Sequence, residues 1–209
     1  MQNKANKDLY DLISALSGTS DFTSGEVSHL LALSNRRMYE AYNRTPYWAR
    51  YLVTGESRPV ASSIVNFEET SGYTPIGEFL RIHRTDPFVR NSAIEYEFYI
   101  QSDGAHILNL TTAETSEVFV TYKKRLTELT DLDIDGSNSR TEVPQEFFYF
   151  MAHATYADFL RLDGQHQKAV LEDQIAEKYL GEEMDNPQQV SNNNTVGKRF
   201  KTYVSQQAR

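Results

Sequence analysis

Residues 144–162 read "PQEFFYFMAHATYADFLRL", and nearly every position from Phe147 to Leu162 is apolar or aromatic. Proline lacks an amide donor, but its fixed φ suits the first turn of a helix, so Pro144 opens one. The polar exceptions, His153, Asp158 and Arg161, fall roughly on one narrow stripe at helical period. A helix apolar nearly all round must be covered on most sides, by its own domain or by a neighbouring subunit. Phe147, Phe148, Phe150, Met151 and Phe159 are the candidates for subunit packing. "DGQ" breaks the helix at Gly164, and an amphipathic helix follows, with Leu171, Ile175 and Tyr179 on one face and Gly181 as its stop. The two predict an antiparallel helical hairpin.

Immediately upstream, residues 131–142 read "DLDIDGSNSRTE". Asp131, Asp133, Asp135, Gly136 and Glu142 occupy loop positions 1, 3, 5, 6 and 12 of an EF-hand, the carboxylate set that calcium needs. The surroundings argue against it. Asn138 stands where an aliphatic residue should pair with a partner loop, no second loop exists, and Pro144 interrupts the exiting helix. The stretch therefore reads as a solvated acidic connector with no metal ligand assigned, and a calcium-binding interaction module is the alternative.

Further upstream the grammar is that of strands. "SSIVNFEE", "EFLRIHRT", "IEYEFYIQ", "AHILNL" and "SEVFVTYKK" are short β-branched or aromatic runs separated by turn-like clusters. In "IEYEFYI", Ile94, Tyr96, Phe98 and Ile100 alternate with Glu95, Glu97 and Tyr99, the pattern of a half-exposed strand. Asp103-Gly104 supplies a hairpin turn. Before this region, Leu9, Leu12, Ile13 and Leu16 mark a first helix that stops at Gly18. "TSGE" at 23–26 forms a capping box for a second, whose apolar face carries Val27, Leu30, Leu31, Met38, Ala41 and Tyr42 and which ends before Pro46. The expectation is an α+β fold: a helical bundle of residues 1–58 and 143–181, an antiparallel β-sheet or sandwich inserted at 59–130, the connector at 131–142, and a tail at 182–209.

Composition narrows the function. The chain has 209 residues, no cysteine, and 24 Tyr and Phe residues, so aromatic burial rather than disulfides must hold its core. No apolar run approaches the ~20 residues of a membrane span, and no signal-peptide core precedes the first helix, so a soluble, non-secreted protein is expected. Net charge is −8, but residues 187–209 hold four basic and no acidic residues, leaving the rest at 17 basic against 29 acidic, or −12. A body so acidic does not bind phosphates by counterion release.

Enzyme signatures are absent: no phosphate loop, no GxSxG, no HExxH. The histidines at 29, 83, 106, 153 and 166 are scattered, and Glu95 and Glu97 share a strand face without a cleft. No catalytic residue and no cofactor are assigned. The tail, "EEMDNPQQVSNNNTVGKRFKTYVSQQAR", lacks periodicity and is rich in Asn, Gln and Ser. It is either disordered or a docking arm, with Lys198, Arg199, Phe200, Lys201 and Tyr203 as the contacts.

Three sections carry a resemblance: "HLLALSNRRMYEAYNRTPYWARYLV", "YIQSDGAHILNLTTAETSEVFVTYKKRLTEL", and the segment from "VPQEFF" through "ATYADFLRLDGQ" to "DQIAEKYL". In order and texture the chain resembles the head-to-tail adaptor (connector) proteins of tailed bacteriophages, including the tail tubular protein A group. The DxDxDG run and the long Asn/Gln tail depart from that pattern. The resemblance implies a virion structural protein of the neck, assembled in the host cytoplasm. It would form a ring, twelvefold like the portal it docks beneath, that extends the DNA channel without specific DNA binding. It would also present the attachment surface for the tail or the next stopper or nozzle protein, and the basic tail would be the arm that reaches the portal.

Overall fold

The computed structural model describes residues 2–19, 22–68, 72–89, 94–108, 110, 117–136 and 140–185. It is an α+β fold in two compact units, one of Met1–Thr45 with Thr127–Arg209 and one of Pro46–Leu126. The helical unit is built from β1 (Asn3–Lys4), α1 (Asn6–Ser17), α2 (Ser24–Asn43), the short strand β8 (Val143–Pro144), a 3-10 turn at Gln145–Phe147, α3 (Phe148–Leu162) and α4 (His166–Met184). The second unit holds β2 (Leu52–Pro59), β3 (Ile64–Asn66), β4 (Ile76–His83), β5 (Phe98–Ile100), β6 (Gly104–Ile107) and β7 (Glu117–Lys124).

In α1, Leu9, Tyr10 and Ile13 are buried, and Gly18 closes the helix in the left-handed region with its amide on the Ser14 carbonyl. The capping box of α2 forms as its sequence predicts. Thr23 Oγ1 accepts from the Glu26 amide at 3.4 Å, and Glu26 Oε2 accepts from the Thr23 amide at 2.8 Å. The inner face of α2 presents Leu30, Ser34, Met38, Ala41 and Tyr42. Ser34 meets Thr155 of α3 at 3.3 Å, so two hydroxyls satisfy each other inside the core.

The apolar α3 is wrapped by its own unit. Phe147, Phe148, Phe150 and Met151 are buried among α1, α2 and α4, and the ring of Phe159 meets Phe22 edge to face at 5.6 Å. Four of the five residues expected to pack against a neighbouring subunit are thus buried inside the unit, and Phe159 is half-buried. Covering a helix within the chain costs no association entropy, and three helices suffice here. Pro144 lies in β8, paired with Asn3, so the helix proper starts four residues later, after the 3-10 turn. Gly164 makes the break between α3 and α4, which run antiparallel, with Tyr149 beside Tyr179 at one end and Leu160 clustered with Ala169 at the other.

The face of α4 differs from the expectation. Ala169, Ala176 and Leu180 are buried, whereas Leu171 and Ile175 point outward. Small alanines let α4 approach α3 closely, and the larger side chains are left on the far side.

The β unit stacks two three-stranded antiparallel sheets, ordered β2-β7-β4 and β3-β6-β5, over one apolar core. Val65, Ile76, Phe79, Ile82, Ala105, Ile107, Val118, Val120 and Tyr122 fill it. The strand β2 overturns the boundary at residue 58, because Leu52–Pro59 belongs to this unit. Its sequence hides it. Gly55 and Pro59 are strand breakers, and the register slips between Val53 and Glu56 where Gly55 takes φ 66°. Gly104 is required by contact rather than by its turn: a Cβ there would lie 2.1 Å from the Val65 carbonyl oxygen. Of the alternating set in "IEYEFYI", Tyr96 and Phe98 pack against the core while Ile94 and Ile100 are exposed. No described helix is long and apolar enough to cross a membrane.

Candidate functional site

Charged side chains concentrate where α2, α3 and α4 meet. Asp158, buried on α3, accepts from Arg37 Nε at 2.7 Å and Nη2 at 2.7 Å, from Arg161 Nη1 at 2.9 Å, and from Arg36. Arg37 also reaches Glu40 at 2.8 Å and Asp173 at 3.2 Å, and Arg161 pairs with Asp173. Burial pushes the Asp158 carboxyl up, but Arg37 and Arg36 together outweigh that and hold it below the ordinary carboxylate range. Three guanidinium groups on one carboxylate leave no lone pair for a substrate. The seam is a structural clamp joining three helices.

A second cluster lies along the α3–α4 hairpin. Tyr149 stacks on Tyr179 at 5.2 Å, Tyr179 stacks on His153 at 5.4 Å, and His153 Nδ1 lies 2.7 Å from Glu172 Oε2. Burial, aided by Glu172, raises the Tyr156 hydroxyl pKa. Along the hairpin several large apolar side chains are exposed. Leu162 is 69% exposed, Leu171 60%, Val170 51%, Tyr149 50% and Ile175 38%. Lys168 and the Lys178–Glu182 pair, at 3.8 Å, stand beside Leu171 and Ile175 on α4. Large aliphatic side chains grouped on one helix, while alanines face the core, mark a surface awaiting a cover.

The acidic loop is consumed by the fold. Asn6, fully buried at the start of α1, donates from Nδ2 to the Asp131 carbonyl at 2.8 Å and to Glu142 at 3.2 Å, and its Oδ1 accepts from the Glu142 amide at 3.0 Å. Glu142 also accepts from the Thr130 amide at 3.1 Å. Asp131 pairs with Arg140 and caps the Asp133 amide at 2.9 Å. Lys7 Nζ donates to the Ile134 carbonyl at 2.9 Å. A calcium loop turns its carboxylates toward one point. Here Asp131 and Glu142 turn to separate protein partners, and among the described residues no group of three acids or histidines is placed to hold a metal.

The β unit holds a buried Arg58 between the rings of Tyr73 and Tyr122, at 4.5 and 4.9 Å. Its guanidinium donates to Glu56 at 2.7 Å, to the Thr74 carbonyl at 2.6 Å and to Tyr122 Oη at 2.6 Å. Burial pushes the Tyr122 hydroxyl up to about 12 and the Lys123 ammonium down to about 8, the latter against the pull of Glu78. Glu95 and Glu97 line an open depression of about 600 Å³ with Tyr96, Phe98 and Leu108, and Glu95 lies 4.0 Å from Arg81. No imidazole lines that depression. His83 is buried, His106 pairs with Asp103 at 2.8 Å, and His29 and His166 are exposed.

The residues assigned to the arm, Lys198, Arg199, Phe200, Lys201 and Tyr203, lie outside the described residues. The clamp at Asp158 was missed from sequence, though it left a signal. A carboxylate in the middle of an apolar helix needs cations, and the Arg36-Arg37 doublet on α2 offered them. The outward turn of Leu171 and Ile175 left none, because their spacing fits an inner face equally well. No protein-family model and no curated protein matches the chain.

Proposed function

We propose that the chain is a ring-forming structural subunit, a head-to-tail adaptor of a phage neck. It would dock beneath the portal, extend the DNA channel and present the attachment surface for the tail or the next connector component. The observation that carries this reading is the uncovered apolar surface on α4, on a unit whose own core is already complete. A surface of that kind is what a neighbouring copy covers when a head-to-tail contact closes into a ring. The acidic body agrees with a channel along which DNA slides without adhering, since like charge prevents phosphate contacts. The order of elements resembles the adaptor group, and the basic C-terminal residues suit an arm that reaches the portal.

Sedimentation and electron microscopy of the protein mixed with a portal ring test the proposal. Rings of portal symmetry, lost in the Leu171→Glu, Ile175→Glu double variant, are the expected result. A protein that stays apart from the portal at every concentration overturns it. The calcium reading gains nothing from two of the four carboxylates it requires, because Glu142 is engaged by Asn6 and Thr130 and Asp131 by Arg140.

A further inference from the structure

Among the described residues, the surfaces that the fold leaves open include the depression at Glu95 and Glu97, the short edge strand β5 with exposed Tyr99 and Ile100, and the outward face of α4. The depression is lined by two like charges, one of them already paired with Arg81 at 4.0 Å. The β5 edge is three residues long, too short to template a strand. The α4 face differs, because the same chain supplies an occupant for it.

We infer that the outward face of α4, around Leu171 and Ile175, is the docking surface of the chain's own basic segment 196–204 in the free subunit. Three observations carry this. The first is pattern. Within those nine residues Val196, Phe200, Tyr203 and Val204 follow one another at steps of four, three and one, the rhythm of a single helix face. Leu171 and Ile175 present the complementary four-residue step on α4. The window is too short to register across the whole tail, which is why the tail reads as aperiodic. The second is charge. Residues 1–45 and 127–186 hold nine basic and nineteen acidic residues, and residues 46–126 hold eight and ten, so the helical unit carries −10 and the β unit −2. Residues 187–209 carry +4. From His166 to Asp185 there are six acidic and two basic residues. Lys168 and Lys178 lie beside the stripe, Glu182 offsets the second, and Glu172, Asp173 and Glu177 are paired with His153, Arg37 and Arg44, so the attraction comes from the net charge of the whole unit rather than from α4 or from one pair.

The third is reach. The chain that leads to the segment leaves α4 at Asp185, so contact of the segment with α4 is intramolecular. Leu171 lies fourteen residues back along the helix, about 21 Å away. Fifteen residues separate Asp185 from Phe200, enough to span up to about 50 Å. A neighbouring copy seated on the same face would displace the segment and free its cations for another surface. The inference itself concerns the isolated protein and stands whether or not the chain is a connector.

The chain has no cysteine, which makes the test specific. Leu171→Cys with Tyr203→Cys is oxidised in the dilute 209-residue chain, beside a control that pairs Tyr203→Cys with Ser28→Cys on the exposed side of α2. The expected result is an intramolecular disulfide in the first pair, forming about tenfold faster than in the control. Equal rates in both pairs, no disulfide, or disulfides only between chains overturn the inference, the last of these assigning the face to a second copy. Trypsin cleavage at Lys198, Arg199 and Lys201 supplies a readout on the native tail. The Leu171→Ser, Ile175→Ser variant should be cut there about tenfold faster than the unaltered chain, and unaltered protein should be cut faster in high salt. An unchanged rate in the variant also overturns it.

Discussion

Each unit buries a charged group, and the two groups are held in opposite ways. Asp158 sits in the helical unit among Arg36, Arg37 and Arg161, drawn from two helices. Arg58 in the β unit lies between two aromatic rings and meets one carboxylate, a phenol and a carbonyl. In the first case the buried group is the counterion shared by three guanidinium groups, two of which also reach Asp173. In the second the counterion Glu56 is itself half-buried and keeps access to water. The cost of losing a buried charge depends on what it leaves behind, so the same kind of truncation should injure the two units unequally.

Asp158→Ala should show the largest effect. It leaves three guanidinium groups without their shared acceptor and should cost about 3–5 kcal/mol. Helical circular dichroism in urea reads the loss. Trp48, the single tryptophan, is buried in the β unit, so its fluorescence should report a transition left in place. A coincident shift of both signals would abolish the distinction between the units.

The pH dependence should come next, with opposite ends for the two units. Asp158 has a folded pKa below its ordinary 3.8, so the unfolded chain binds the extra proton. The stability it supplies is present above that value and is lost as pH falls through the lower folded one. Lys123 has its folded pKa depressed from 10.5 to about 8, and again the unfolded chain binds more protons in between. The β unit should therefore gain stability as pH rises from about 8. Above pH 10 Tyr122, raised to about 12, works in the other direction, since the folded state then holds the extra proton. Lys123→Met should flatten the alkaline gain, and a β unit that weakens from pH 8 to 10 would contradict it.

Arg58→Met should cost less than Asp158→Ala, about 2 kcal/mol, because the methionine refills the slot between the rings and Tyr122 still donates to Glu56 at 2.8 Å. A loss as large as that of Asp158→Ala would remove the asymmetry. Smallest of all, Leu171→Ser with Ile175→Ser should leave helical stability within about 0.5 kcal/mol per site, as exposed substitutions do. A large loss there would mean that the outward face of α4 is already part of a core.

These comparisons also show what a reader of the sequence alone can and cannot reach. The α+β class, the α1 stop at Gly18, the capping box at Thr23 and the hairpin break at Gly164 were legible because each rests on local chemistry. The strand β2 was not, since Gly55 and Pro59 are locally wrong for a strand and are tolerated only through a bulge and pairing with β7. The inward face of α4 was misjudged for a related reason. Periodicity reports which residues share a face, while the choice between an alanine face and a leucine face is made by how closely α3 can approach. The motif at 131–142 reads as a connector against its spacing, but what holds it was not legible, because Asn6 lies 125 residues from the Asp131 carbonyl and 136 from Glu142.

That asparagine also sets a schedule. Its partners at 131 and 142, and the pairing of Asn3 and Lys4 with Pro144 and Val143, lie far downstream. On a ribosome adding 5–20 residues each second, α1 emerges roughly 10 s before the segment that latches it. The β unit, continuous from Pro46 to Leu126, has all its strands in hand before then. Synthesis from the N-terminus thus favours an order in which the middle of the chain folds first and the opening helices wait, with their apolar faces unclaimed, for the chain to return.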